Sequence, residues 1–250
     1  MTTGLTLYSY YKSSCTWRVR AALAYKKLEY TTKIVNVAEG DHMKPDYLKL
    51  NPSGNLPTLI HNGHVLTESM AILEYLEEVF PDKGRLLPEN DPVKKALVRT
   101  VCMMVRVIVG IQPMQTPKVY NRAGRREKFA AEMTIEGLYA LEEKLKKVAG
   151  THCIGNEMSL ADMVLVPQLY NAVTKFAINL DFFPTLKKLY TELLVTDCFL
   201  ASQPHCQPDC ELSATKCTSL KVAKSPSLSA FPRNMVSKDE DHLHDRFGKE

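Results

Sequence analysis

The sequence contains no Cys-x-x-Cys pair, no apolar run approaching the ~20 residues of a membrane span, no internal repeat and no heavy charge of one sign. Each absence removes a class of function. With 32 Lys plus Arg against 28 Asp plus Glu, the net charge is only +4, too mild to demand a nucleic-acid or membrane partner. The seven cysteines, at 15, 102, 153, 198, 206, 210 and 217, are odd in number and scattered. They predict reduced thiols rather than a disulfide framework. His205, Cys206, Cys210 and Cys217, with His242 and His244, match the spacing of no common zinc module, so no metal is expected. No basic segment followed by an apolar one opens the chain; a secretory signal is not expected, and the expected location is cytoplasmic. What is present is ordinary for a globular protein: 250 residues, 45% hydrophobic and 24% charged, enough for one large core or two small ones.

Leu5 to Tyr10 alternates apolar and polar residues and reads as a strand. After a short loop, Ser14 to Lys27 reads as a helix with Val19, Ala22, Leu23 and Lys26 near helical spacing. Tyr30 to Val37 is a second strand, and Pro45 to Leu50 a short helix with Pro in its first turn. The segments 56–61 and 64–67, split by Asn62-Gly63, predict a hairpin with a tight turn. Glu68 to Phe80 is an amphipathic helix, with Met70, Ile72, Leu73, Leu76 and Val79 inward and Glu74, Glu77 and Glu78 wet. This order makes a small α/β sandwich. Past a Pro-, Gly- and Asp-bearing stretch at 81–92 the strand signals stop, and helices are expected over 92–121, 125–149, 159–177 and 184–198. The change from mixed α/β to all-α predicts two domains, 1–84 and 92–210. Ser159-Leu160-Ala161-Asp162 heads an apolar run as a capping box and reads as a folding element. Residues 211–250, rich in Ser, Lys, Pro and Asp, read as a disordered tail.

Three places in the first 84 residues carry chemistry. The strand–loop–helix puts Ser13, Ser14 and Cys15 at a helix N-terminus, where unpaired amides and the helix dipole favour an anion. A hydroxyl or thiol there can cap the helix, act as a nucleophile, or donate a hydrogen bond to a bound thiolate. Leu56-Pro57 opens a strand, either as a plain start or as a cis peptide whose Leu56 backbone faces an extended ligand. Glu68-Ser69 opens a helix and can cap it or hold an amino-acid end. Taken together, a backbone edge, an amino-acid site and a thiol site fit a short γ-linked peptide with a central cysteine.

The motifs Ser13-Ser14-Cys15-Thr16-Trp17-Arg18-Val19-Arg20, Leu56-Pro57-Thr58-Leu59, Glu68-Ser69, Gly110-Ile111-Gln112-Pro113 and Gln207-Pro208-Asp209 stand in one chain. With them, residues 5–209 resemble the zeta-class glutathione transferases, also called maleylacetoacetate isomerases. The resemblance implies a thioredoxin-like N-terminal domain, an all-helical C-terminal domain, a homodimer, glutathione as cosubstrate and a small dicarbonyl acid as substrate. It implies cis–trans isomerisation of maleylacetoacetate to fumarylacetoacetate in tyrosine and phenylalanine catabolism, with side activity on small α-halo acids. Carried over, Ser13 activates the thiolate, with Ser14 and Cys15 in support. The glutathione site takes in Thr16, Trp17, Arg18, His42, Leu56, Pro57, Glu68 and Ser69. Gln112 and Thr116 complete that site, with Gln112 also lining the substrate side, and Arg18 or another local cation holds a substrate carboxylate. This chain has His42 and Glu68 where the class tends to have Gln, and Thr116-Pro117-Lys118 where it has Asn and small residues. Two alternatives remain open: a thiol transferase with Cys15 as nucleophile, and a non-catalytic interaction module of the same fold.

Overall fold

The computed structural model describes residues 4–106 and 126–210. Its elements are β1 (Leu5–Ser9), α1 (Ser14–Tyr25), β2 (Thr31–Ile34), α2 (Pro45–Leu50), β3 (Thr58–His61), β4 (His64–Thr67) and α3 (Ser69–Val79), followed by α4 (Pro92–Arg106), α5 (Arg126–Leu145), α6 (Leu160–Phe176), α7 (Pro184–Leu194) and α8 (Asp197–Ser202). The rest of the helix expected over 92–121, with Gln112 and Thr116, and the tail 211–250 lie outside the described residues.

The four strands form one sheet in the order β2-β1-β3-β4, with β1 parallel to β2 and antiparallel to β3, which is antiparallel to β4. With the helices packed on it, this is a thioredoxin-like unit, and the second part of the chain is helical. In β1 the alternation is realised: Leu5, Leu7 and Ser9 are buried. In the β3–β4 turn, Asn62 and Gly63 both have positive φ, 49° and 80°, as a type I′ hairpin requires.

Helix α1 organises the molecule. Thr16 through Leu23 are all buried. One side of the helix faces the sheet and α3, and the other packs on α6 and α8. Trp17 meets Tyr170 of α6 and Phe199 of α8 edge-on, at centroid distances of 5.2 and 6.3 Å. Its indole N–H donates to Ser202 Oγ at 2.9 Å. A single apolar cluster therefore runs through both parts of the chain.

The connection from α3 to α4 is tied down by a buried ion pair. Lys26 Nζ lies 2.6 Å from Glu77 Oε1 and donates to the carbonyls of Phe80 and Gly84. Glu77 Oε2 accepts from the amides of Leu86 and Leu87. Here the structure corrects the helix reading: Glu77, expected to be wet, is buried, and Val79, expected to be buried, is exposed. The buried cation and two loop amides outweigh the cost of desolvating one carboxylate.

Two further carboxylates are buried for the same kind of reason. The Ser159–Asp162 capping box forms, and Asp162 Oδ1 also accepts from the amide of Cys153 at 2.8 Å. Glu142 of α5 accepts from the amides of Thr185 and Leu186, capping α7 from outside. The single helix expected over 184–198 is two, because α7 ends at Leu194 and a new helix starts after Thr196.

Replacing Glu77 with Ala leaves the buried Lys26 ammonium without its counter-charge and the Leu86 and Leu87 amides without their acceptor. The expected loss is about 3–5 kcal/mol of unfolding free energy, read from urea-induced unfolding; an unchanged midpoint would remove the pair from this role.

Candidate functional site

Strand register brings the candidate residues to one end of the sheet. Tyr8 pairs with Thr58, and Thr58 pairs with Thr67. One residue beyond this last row, the three chains leave the sheet as Ser9, Pro57 and Glu68. The parallel strand β2 ends at the same end, since Ser9 pairs with Ile34. The β1–α1 loop, the start of β3, the start of α3 and the segment after β2 thus share one edge. In sheets with helices packed on them, the carboxyl ends of parallel strands are where ligands bind.

At the first of these positions, Ser13 is the N-cap of α1. Its Oγ accepts from the Thr16 amide at 3.2 Å and from Thr16 Oγ1 at 2.9 Å. Both bonds use Ser13 as acceptor, so its own hydroxyl proton remains to be donated. Ser13, Ser14 and Cys15 are partly exposed, whereas Thr16, Trp17 and Arg18 are buried. The helix therefore opens its first turn to solvent and hides its second.

The Leu56–Pro57 bond is cis. Thr58 next to it is buried and accepts from the Asn51 amide nitrogen, with the Tyr47 hydroxyl 2.9 Å away. Asn51 and Tyr47 also both donate to the Asn55 carbonyl, so the 51–58 segment is cross-tied. Gly54, at φ 62°, is where this loop meets the 3₁₀ turn Asp41–Met43; a Cβ there would lie 2.9 Å from Met43 Sδ and 3.2 Å from the His42 carbonyl. In that turn His42 Nδ1 is buried without a hydrogen-bond partner among the described residues. An unpaired polar atom of this kind is costly unless something else satisfies it.

Glu68 precedes α3 with φ 66° and ψ 114°, a conformation that L residues rarely adopt and that clusters at ligand sites. The next residue, Ser69, is buried, and Arg18 Nη1 donates to its hydroxyl at 3.3 Å. Arg18 Nη2 donates to Gln168 Oε1 on α6 at 2.8 Å. This corrects one expectation. Arg18 is 0% exposed, so it holds Ser69 from behind and does not meet a substrate carboxylate itself.

A cation in the neighbourhood of Cys15 was not read from the sequence. Lys175, near the end of α6, is open to solvent and interacts electrostatically with both Cys15 and Lys12. Desolvation of its ammonium pushes its pKa down, Cys15 draws it back up, and Lys12 adds to the fall. Helical periodicity gives no sign that residue 175 meets residue 15. Only the packing of α1 on α6 joins them.

Comparison with known proteins places this arrangement. Residues 3–78 match the glutathione S-transferase N-terminal domain, and residues 112–195 match a glutathione S-transferase C-terminal domain. A probable maleylacetoacetate isomerase of Caenorhabditis elegans is 39% identical over 213 residues, covering 83% of this chain and 97% of the relative. This chain belongs to the zeta-class glutathione transferases. Among solved structures, the maleylacetoacetate isomerase of Anaeromyxobacter dehalogenans with glutathione in its active site is 37% identical. It superposes with a TM-score of 0.73 over 82% of this chain and 97% of that one. The maleylacetoacetate isomerase of Methylobacterium extorquens, with bound malonate and glutathione, is 31% identical, with a TM-score of 0.76 over 82% and 99% of the two chains. Among the described residues no helix is long and apolar enough to cross a membrane.

Substituting Leu for Gln168 would take the amide-oxygen acceptor from the buried, charged guanidinium of Arg18. The expected cost is about 1.5–3 kcal/mol of stability, measured by guanidinium-induced unfolding. Unaltered stability would show that Gln168 does not support Arg18.

Proposed function

We propose that this protein is a glutathione-dependent isomerase that converts maleylacetoacetate to fumarylacetoacetate in tyrosine and phenylalanine catabolism, working in the cytoplasm as a homodimer. In this reading residues 1–84 hold glutathione and 92–210 supply the substrate side. The observation that carries it is the shared sheet edge, where the open first turn of α1, the Leu56–Pro57 backbone and the Glu68–Ser69 helix start converge. The relatives of the same family carry the isomerase name and bind glutathione.

The residues fit that tripeptide. The first-turn amides of Ser14 and Cys15 and the Ser13 hydroxyl proton favour an anion at the head of α1. Leu56 offers its backbone to the cysteinyl unit. Ser69, held by Arg18, meets the γ-glutamyl carboxylate, and Glu68 meets its ammonium. His42, whose Nδ1 has no hydrogen-bond partner among the described residues, serves the glycyl end. Lys175 and Lys12 supply positive charge for a dicarboxylate-like substrate; Gln112 and Thr116 keep the ligand-binding role that the family resemblance implies for them.

Bound glutathione would supply a thiolate that adds to the activated cis double bond and departs after rotation, so it is not consumed. What the protein contributes is ionisation and orientation. A free thiol has a pKa near ~8.5, and each unit of lowering corresponds to ~1.4 kcal/mol of preferential stabilisation of the anion. Ser13 acts at the sulfur, Lys175 on the carboxylate, and the buried second turn of α1 keeps both in register. The same residues serve halide displacement from small α-halo acids.

An isomerisation assay on a maleylacetone-type substrate tests this directly: turnover strictly dependent on glutathione, with no net loss of it, is expected. Net consumption without isomerisation would point to a transferase instead. Ser13→Ala is expected to lower turnover about 100-fold, with the glutathione KM little changed and the rising limb of the pH–rate profile moved to higher pH. Lys175→Ala is expected to raise the KM for the acid about tenfold and to leave glutathione binding as it was. An unaffected KM would assign the carboxylate to another cation.

A further inference from the structure

Residues 10–13 form no strand or helix, yet the Tyr10 and Tyr11 carbonyls and the Tyr11 and Ser13 amides are all held. The Tyr11 amide donates to Asp209 Oδ2 at 2.8 Å. Arg20 donates to the Tyr10 and Tyr11 carbonyls, each at 3.3 Å. The Tyr10 carbonyl also accepts the Ser13 amide at 3.0 Å. Arg20 further reaches Ser9 Oγ at 3.1 Å and the Ser202 carbonyl at 3.1 Å. It is 0% exposed, and desolvation lowers its pKa to about 10 even with Asp209 and Tyr30 drawing it up. Asp209 lies three residues past the last 3₁₀ turn, Pro204–Cys206, in a segment that Gln207 anchors through the Ser202 and Gln203 carbonyls.

We infer that Asp209, together with Arg20, is a positioning residue for the reaction: the end of the helical part reaches back 198 residues to fix the loop that aims the Ser13 hydroxyl. This rests on the reading that Ser13 acts on a glutathione sulfur. The fixed points run in an unbroken line. Asp209 holds the Tyr11 amide, Arg20 holds the two carbonyls that flank it, and the Ser13 amide closes onto one of those carbonyls. Ser13 itself then has Oγ pinned as acceptor by Thr16. With the oxygen and the backbone both held, the direction of the remaining proton is set. Loosening the loop costs aim rather than binding, because Ser69, Leu56 and His42 sit on other segments.

The sign of one measurement separates positioning from plain electrostatics. Removing a carboxylate near an anion stabilises that anion, which lowers the thiol pKa. Losing the aim of Ser13 raises it. The test titrates the thiolate absorbance near 240 nm of glutathione bound to the full-length protein, in the parent, Asp209→Ala and Asp209→Asn. Both variants lose the charge, and only Asn keeps an acceptor for the Tyr11 amide. The expected result is a bound-thiol pKa raised by about one unit in Asp209→Ala and restored to the parental value or below in Asp209→Asn. Turnover should fall about 10- to 100-fold in the Ala variant with the glutathione KM nearly constant. If Asp209→Ala does not fold, Asp209→Ser, too short to reach the amide, is expected to give the same rise. A pKa in the Ala or Ser variant that matches or falls below an acidified parent overturns this inference alone. A parent that does not acidify the bound thiol overturns the functional reading and this inference with it.

Discussion

A cation taken out of water has to be met by acceptors inside the protein, and α1 with its C-cap residue carries three of them, Arg18, Arg20 and Lys26, none more than 1% exposed. Left unpaired, each would cost several kcal/mol. Each is met by a different part of the chain: Arg18 by α3 and α6, Arg20 by the β1–α1 loop and the end of α8, Lys26 by α3 and the segment after it. The helix cannot take its place until those parts have taken theirs. The fold is thus specified around one central element, by obligatory pairing as much as by apolar burial.

That arrangement explains how a helix terminus becomes useful for chemistry. A first turn that frays presents its amides in no fixed direction. Here the second and third turns are locked on all sides, so the first is exposed yet rigid. The sheet register supplies the rest, because a shift of one residue between β1 and β3 would carry Pro57 away from the Ser9 row and turn every strand side chain to the other face. The geometry of the site is therefore a by-product of interactions that stabilise the whole.

Local features were legible in the sequence, and long-range ones were not. Asn62-Gly63, the Ser159–Asp162 box and the alternation of Leu5 to Ser9 each depend on neighbours within a few residues, and each is found as read. Ser13, the Leu56–Pro57 pair and Glu68–Ser69 stood out from local pattern as a helix start, a strand-opening Pro and a second helix start, and the resemblance then gave them roles. What was misread was charge: periodicity assigned Glu77 to solvent, and the resemblance offered Arg18, or another local cation, a substrate carboxylate to hold. Both are buried because their partners are contributed by segments that only tertiary packing brings close. Lys175 and Asp209 escaped for the same reason, being 160 and 198 residues from what they face. The break between α7 and α8 is subtler, a helix C-cap at Val195 with no Gly or Pro to announce it.

The buried pair beneath the α3–α4 connection carries one more implication. In many two-part enzymes such a connection is where the parts swing to admit and enclose a ligand. With its carbonyls held by Lys26 and its amides by Glu77, and with Leu86 and Leu87 in the common core, this strap is fastened from both sides. Any swing of the helical part about this strap would first have to break the Lys26–Glu77 ion pair and four hydrogen bonds.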